Sequence, residues 1–239
     1  AIWLNGVAGG DTVGTTGSVF TFADKNAGSS KAVNVTGTAL SGTDAGNYTL
    51  TVPATALADI LTKALTATVS ANGKTYDGTT AATGSVALSG VVSGDSVSTG
   101  GITFTFADKN AGTGKAVAVG GGLSGTDAGN YNVSLPATVL ADILKKSLTA
   151  TVSANGKTYD GTTAATGSVA LNGVVSGDSV STGGVSFTFA DKNAGTGKTV
   201  AVGGSLSGAD AGNYSVSLPV SVLPGILKKH LPVPSKLAE

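Results

Sequence analysis

A spacing of 83 residues governs this chain, and no local pattern constrains its fold as strongly. The phrase "NGKTYDGTTAATGSVAL" at 72–88 returns letter for letter at 155–171, and Tyr48, Tyr131 and Tyr214 stand 83 apart. Laid over one another, 65–147 and 148–230 differ at 12 positions, most of them mild, such as Ile102 to Val185, Thr103 to Ser186 and Ser89 to Asn172. Leu4-Asn5-Gly6 aligns with Leu88-Ser89-Gly90, so a shortened copy opens the chain without the YDG phrase. It also carries one extra residue between "FADKNAG" and "GNY". The organisation expected is a truncated repeat 1 at 1–64, repeat 2 at 65–147, repeat 3 at 148–230, and a linker or tail "LPVPSKLAE" at 231–239. A period of 83 is too long for one coil of a β-helix and suits a small domain.

Composition narrows the class. Gly supplies 37 of 239 residues, charged residues only 12%, and there is no Arg, Gln, Cys or Met. Gly with abundant Thr, Val and Ala predicts short strands joined by many turns, while 41% hydrophobic residues argue against disorder. A net charge of zero, with Lys as the sole basic residue besides His230, excludes the basic face that nucleic acid requires. No stretch reaches the roughly 18–20 apolar residues of a membrane-spanning helix. The absence of Cys excludes disulfides and thiolate metal sites. With Ala1 falling inside a repeat and no signal peptide or initiator Met, the chain reads as a piece of a longer protein.

Within repeat 2, alternating runs bounded by Gly predict strands near Leu65–Ser70, Ser85–Val92, Gly101–Phe106, Lys115–Val119 and Asn130–Leu135, with one more after Pro136. Ile102, Phe104 and Phe106 share one face of such a strand. In "ADKNAG", Asp108 and Asn110 are expected to bond local backbone and Gly112 to accept positive φ, as are Asp191 and Asn193 in the next copy. Residues 137–153 have helical spacing, yet Ala141-Asp142 becomes Pro224-Gly225 in repeat 3, a pair that breaks a helix interior. The expectation is therefore strand, kink, strand, running straight into the next repeat and holding it stiffly. The fold class expected is all-β: tandem small Ig-like β-sandwich repeats of 83 residues, arranged end to end as a rod. Tyr76, Phe104, Phe106 and Tyr131 are the rings expected in or beside the core of repeat 2.

Candidate chemistry is sparse. "GTGKT" at 195–199 lacks the first Gly of a phosphate loop, since Lys192 stands there. Asp77, Asp95, Asp108, Asp127 and Asp142 raise calcium at repeat junctions, but no D-x-D-x-D-G loop exists. His230 is the lone histidine and reads as a surface residue, so no repeated Ser-His-Asp set exists. No catalytic residue, metal site or cofactor is assigned, and an enzyme is not expected. Sequons occur at Asn34, Asn47, Asn132 and Asn213, a number that chance supplies in so Asn-, Ser- and Thr-rich a chain. In "TYDGT", Asp77-Gly78 and Asp160-Gly161 suit a tight turn, with the Tyr76 and Tyr159 hydroxyls reaching backbone at a corner. The alternative is that Tyr76 and Tyr159 contact glycan. Tyr48, Tyr131 and Tyr214 end the "GNY" turn and lead into a strand.

Taken as a set, "KTYDGTT", "FTFADKNAGTGKAVAV" and "LSGTDAGNYNVSLP" resemble the YDG-type repeats of filamentous-haemagglutinin-like adhesins, exported by Gram-negative bacteria through two-partner secretion. The likeness covers about residues 1–230. It implies a cell-surface location and a stalk supporting adhesion and biofilm formation, with neighbouring modules as partners. Polysaccharide or a host-surface ligand would be met through other parts of the parent protein. It carries over no catalytic residue.

Overall fold

The computed structural model describes residues 2–233, so the expected tail leaves the described chain after Val233. Among the described residues the protein is all-β, punctuated by three single 3-10 turns at Ala45–Asn47, Ala128–Asn130 and Ala211–Asn213. Its contacts gather into two compact units. One comprises Ala1–Val69, Val86–Ile102 and Gly120–Pro136; the other comprises Ser70–Ser85, Thr103–Val119 and Ala137–Glu239. The 83-residue repeat is thus not itself the unit of contact, because repeat 2 contributes segments to both.

Repeat 3, wholly inside the second unit, shows the complete strand set. Lys146–Ala154 is the centre of a three-stranded sheet. Gly167–Asn172 pairs with it antiparallel, Val152 opposite Val169, and Tyr214–Val216 parallel, Leu148 beside Val216. A second sheet orders Ser181–Phe189, Val200–Ser207 and Ser221–Val222 antiparallel, with Phe189 opposite Val200. Lys157–Thr158 pairs in parallel with Ile226–Leu227. Phe187, Phe189, Val200 and Ile226 form the buried cluster, and Val152, Ala154 and Val169 of the first sheet pack on it with Val185, Val202 and Val222 of the second. Both sheets therefore feed one core, where each large apolar side chain contributes about 1.5–3 kcal/mol.

The part of repeat 2 in the same unit repeats this order. Lys74–Thr75, Thr138–Leu144, residues 112–119, residues 103–106 and Ala81–Ala82 lie side by side in a five-stranded sheet. Phe106, Val117 and Ile143 are essentially inaccessible. The Gly of "ATGSVAL" has a packing reason: a Cβ on Gly84 would stand 2.4 Å from the Ser70 carbonyl oxygen and 2.6 Å from the Phe104 ring. The continuous run is strand, one-residue break, strand, since Thr138–Leu144 is followed after Lys145 by Lys146–Ala154. In repeat 3, Pro224-Gly225 interrupts the equivalent strand into Ser221–Val222 and Ile226–Leu227. All four rings expected in or beside the core are buried: Tyr76, Phe104, Phe106 and Tyr131. One backbone expectation fails. Gly112 is not at positive φ, because it already begins the strand Gly112–Ser124; the left-handed position is Gly114 at φ 58, inside the register shift between Gly112 and Lys115. Repeat 1 places Ser30 there, at φ 50.

In the first unit, Val19–Phe22, Gly28–Thr36 and Thr55–Ile60 form an antiparallel sheet with Phe20 opposite Val35 and Phe22 opposite Val33. Gly14–Thr16 and Ala39–Ser41 form a small ribbon. Phe20 is 48% exposed and Phe22 37%, where Phe106 is 2% exposed. An apolar groove of about 570 Å³ lies against Phe20, Trp3, Val35, Leu40 and Leu50.

Candidate functional site

The repeated phrases converge where one repeat meets the next. In the second unit, two short segments of repeat 2 form a plug. The first is the YDG turn. Asp77 Oδ1 accepts the Thr79 N–H and hydroxyl, each at 2.9 Å, and the Lys74 ammonium at 2.7 Å, while Gly78 turns the chain at φ 81. Burial works against ionisation of Asp77, but the Lys74 and Thr79 hydrogen bonds prevail and hold its carboxyl at about 2. Asp160 makes the same turn with Thr162 and Lys157, which hold its carboxyl at about 2 as well, and Gly161 sits at φ 83. The Asp-Gly pairs bend the chain.

The Tyr76 hydroxyl does something else. It does not reach backbone; it donates to Asp178 Oδ2 of repeat 3 at 2.7 Å. The reason is that the neighbouring repeat brings a carboxylate within reach, a far stronger acceptor than a carbonyl.

The second plug segment is the "ADKNAG" loop. Asp108 Oδ1 accepts the Asn110 N–H at 2.8 Å and Lys115 clamps the same carboxylate. That local turn presents Lys109, Asn110 and Ala111 outward. Lys109 Nζ donates to Asp178 Oδ1 at 3.0 Å and stands 3.6 Å from Asp210 Oδ1. The Ala111 N–H donates to Asn213 Oδ1 at 2.8 Å, and Asn213 Nδ2 donates to Asn110 Oδ1 at 3.3 Å. Asn110 therefore serves the next repeat with its side chain, not its own backbone.

The socket is built by repeat 3 itself. The Tyr214 hydroxyl donates to Asp178 Oδ2 at 2.6 Å and accepts the Val175 N–H at 2.9 Å. Asp210 Oδ2 accepts the Ser179 N–H at 2.9 Å, and the 3-10 turn Ala211–Asn213 delivers Asn213 and Tyr214 side by side. Tyr76 meets Tyr214 edge to face, ring centres 5.3 Å apart, and Lys109 Nζ lies 5.8 Å from the Tyr76 ring centre. Gly78 touches Val175: a Cβ there would approach Val175 Cγ1 to 2.9 Å.

The Asp178 side chain is 4% exposed, yet fully partnered. The Tyr214 hydroxyl, then Tyr76 and Lys109, hold its carboxyl below the ordinary range despite desolvation. Burial and Asp178 push the Tyr214 phenol up to about 12, and the Asp178 hydrogen bond raises Lys109. One anion, one cation and two neutral hydroxyls thus keep fixed charge states across the physiological range. No member is poised to exchange a proton near neutrality.

The first unit contains the equivalent junction between repeats 1 and 2. Lys25 Nζ donates to Asp95 Oδ1 at 2.6 Å and lies 3.2 Å from Asp127 Oδ1. The Tyr131 hydroxyl donates to Asp95 at 2.6 Å, the Ala27 N–H to Asn130 Oδ1 at 2.8 Å, and Asn130 Nδ2 to Asn26 Oδ1 at 3.2 Å. A cavity of about 260 Å³ lined by Lys25, Ala27, Val92, Asp95, Asn130 and Tyr131 lies at this junction.

Sequence reasoning singled out Tyr76, Asp108, Asn110, Tyr131 and Tyr214, and met Asn213 only as a sequon, but missed the other partners that unite them: Lys25, Lys109, Asp178 and Asp210. The available signal was the "DKN" loop, whose Lys has no opposite charge next to it beyond the Asp that already closes the turn. At each junction the paired aspartates surround a lysine ammonium, which occupies the position where calcium was considered. Among the described residues, no group of three or more His, Asp or Glu side chains converges. Lys198 of "GTGKT" is bound to Asp191, whose Oδ1 also accepts the Asn193 N–H. Asn213 is buried, and His230 is exposed. Tyr76 is 1% exposed, leaving no open ring face for a sugar; Tyr159 is half-buried. No helix among the described residues is long and apolar enough to cross a membrane.

A family model described as the YDG domain matches three times, at residues 1–56, 61–139 and 144–221. No curated protein and no solved structure matches the chain.

Proposed function

The chain belongs to the YDG domain family, and on that premise we propose that its repeats are structural spacers in the stalk of an exported, filamentous-haemagglutinin-like bacterial adhesin, supporting cell–cell or cell–matrix adhesion. Each repeat in this reading is a small Ig-like sandwich, and successive repeats stand end to end. The observation that carries it is the recurrence of one interlock at both junctions, with Lys25 and Lys109, Asn26 and Asn110, Ala27 and Ala111 each seated on the same groups of the following repeat. A flexible tether would not fix its neighbours through a recurring set of specific, in part half-buried, hydrogen bonds. The one-residue break at Lys145 supports the same stiffness.

Small-angle scattering of the whole chain tests the reading: an elongated profile is expected, and a compact globular one overturns it. Binding of polysaccharide by the repeats themselves is the competing reading, and the coverage of Tyr76 weighs against it. Saturable binding to a glycan array, lost on Tyr159→Ala with circular dichroism unchanged, would establish that alternative.

A further inference from the structure

The first and last stretches of repeat 3 close on each other in parallel, and that decides how the repeat meets tension. The chain enters at Lys146–Ala154, crosses Asn155-Gly156 into Lys157–Thr158, and leaves through Ile226–Leu227. Lys157–Thr158 pairs in parallel with Ile226–Leu227, in a different sheet from Lys146–Ala154, so the entering chain steps from one sheet to the other without pairing with itself. The Lys157 N–H donates to the Gly225 carbonyl at 3.1 Å and the Tyr159 N–H to the Leu227 carbonyl at 2.8 Å. On its other side the leaving strand is tied to residues 195–198. The Ile226 N–H donates to Gly195 at 2.8 Å, the Gly195 N–H to Ile226 at 2.9 Å, and the Lys198 N–H to Pro224 at 2.7 Å. Ile226 is also buried in the core, which anchors the strand by its side chain.

Repeat 2 makes the same closure inside the same unit. Lys74–Thr75 pairs in parallel with Thr138–Leu144, Ile143 beside Lys74 and Leu144 beside Thr75, and the Tyr76 N–H donates to the Leu144 carbonyl at 2.8 Å. The phrase "KTYDG" therefore supplies two things at each occurrence: a short strand that grips the end of the repeat, and the Asp-Gly turn that carries the chain away from it.

We propose that this parallel closure is a shear clamp, giving repeats 2 and 3 a high resistance to force applied along the chain. Tension entering at Lys146 and leaving at Leu227 draws Lys157–Thr158 toward its N-terminus and Ile226–Leu227 toward its C-terminus. In a parallel pair those two pulls oppose each other along the strand axis, so the strands must slide past one another and their bonds are loaded together. Pulled from the same end, the pair opens one bond at a time. Forced unfolding follows the barrier on the path imposed and not the equilibrium stability, so the resistance depends on the direction of pull. The clamp gives the stalk reading a means of bearing load, yet it stands on strand geometry alone. A compact scattering profile would strike the stalk and leave the clamp standing.

The chain has no Cys, so a pair of introduced thiols fixes where force acts. Lys145→Cys with Lys229→Cys pulls the two strands from opposite ends and shears the clamp. Thr163→Cys with Lys229→Cys pulls both from their C-terminal ends and unzips it. All three positions are exposed, so both double variants keep the fold, checked by circular dichroism. Single-molecule force spectroscopy of the whole chain, at one loading rate, is expected to give an unfolding force at least about twofold higher for the shearing pair, since its bonds resist together. Equal forces in the two directions, or a higher force for the unzipping pair, overturn the clamp and leave the stalk reading untouched.

Discussion

Tyr76 and Tyr159 lie in identical 17-residue phrases, and their hydroxyls have different surroundings. Tyr76 donates to Asp178 at 2.7 Å, while Tyr159 makes no side-chain hydrogen bond among the described residues. Tyr→Phe removes the hydroxyl alone and keeps the ring. A hydrogen bond to a charged group contributes about 1.5–3 kcal/mol. Asp178 retains Tyr214 at 2.6 Å and Lys109 at 3.0 Å, so it is not orphaned. Tyr76→Phe is accordingly placed at the low end, about 1.5 kcal/mol, which is roughly a tenfold increase in the opening constant of the junction. Tyr159→Phe, by contrast, falls within about 0.5 kcal/mol of wild type. Native-state hydrogen exchange of the Ala111 amide reads the opening directly, because that N–H is held by Asn213 across the junction. Equal effects of the two substitutions, or no effect of Tyr76→Phe on Ala111, would refute the assignment of the hydroxyl to the interlock.

Other expectations follow from matched positions. Gly78→Ala and Gly161→Ala both force a side chain onto positive φ, costing about 1 kcal/mol. Only Gly78→Ala also drives a Cβ to 2.9 Å from Val175, so it alone accelerates Ala111 exchange. Ser30→Gly relieves the φ of 50 and is expected to stabilise repeat 1 by about 1 kcal/mol in thermal unfolding, since repeats 2 and 3 already carry Gly at that place. The pH dependence has two limbs. Asp77 and Asp160 titrate at about 2 and Asp95 and Asp178 are also lowered, so their stabilisation is complete above about pH 4 and is lost as pH falls toward 2. Tyr214 is raised to about 12, so its stabilisation is complete below about pH 10 and is lost as pH rises toward 12. Unfolding temperature against pH should be flat between those limbs, and a transition near neutrality would contradict the charge assignment.

The strands were legible because they rest on local chemistry: alternation in "GITFTF", turn residues in "ADKNAG", and Pro224-Gly225 vetoing a helix; the kink was misplaced, since Thr138–Leu144 runs unbroken through Ala141-Asp142 and the break falls at Lys145. The burial of Phe104 and Phe106 was legible for the same reason. The interlock was not, because its partners are about 70 to 103 residues apart, as between Lys109 and Asp178 or Ala111 and Asn213. No local period records which Lys of one repeat faces which Asp of the next. Gly112 was misplaced because "AGTGK" offers two glycines and only the backbone path decides which takes positive φ. Exact repetition hid the site further: Tyr76 and Tyr159 read identically and differ only in what stands beside them.

Three alanine amides test the interlock most directly. Ala27, Ala111 and Ala194 occupy the same place in three copies of "ADKNAG". The first two donate to Asn130 and Asn213 of the following repeat, both at 2.8 Å, while Ala194 is exposed and makes no such bond among the described residues. Residue-resolved hydrogen exchange on the dilute chain should show Ala27 and Ala111 protected and Ala194 exchanging at the rate of an open loop. Equal exchange at all three would contradict the claim that each repeat is locked into the next.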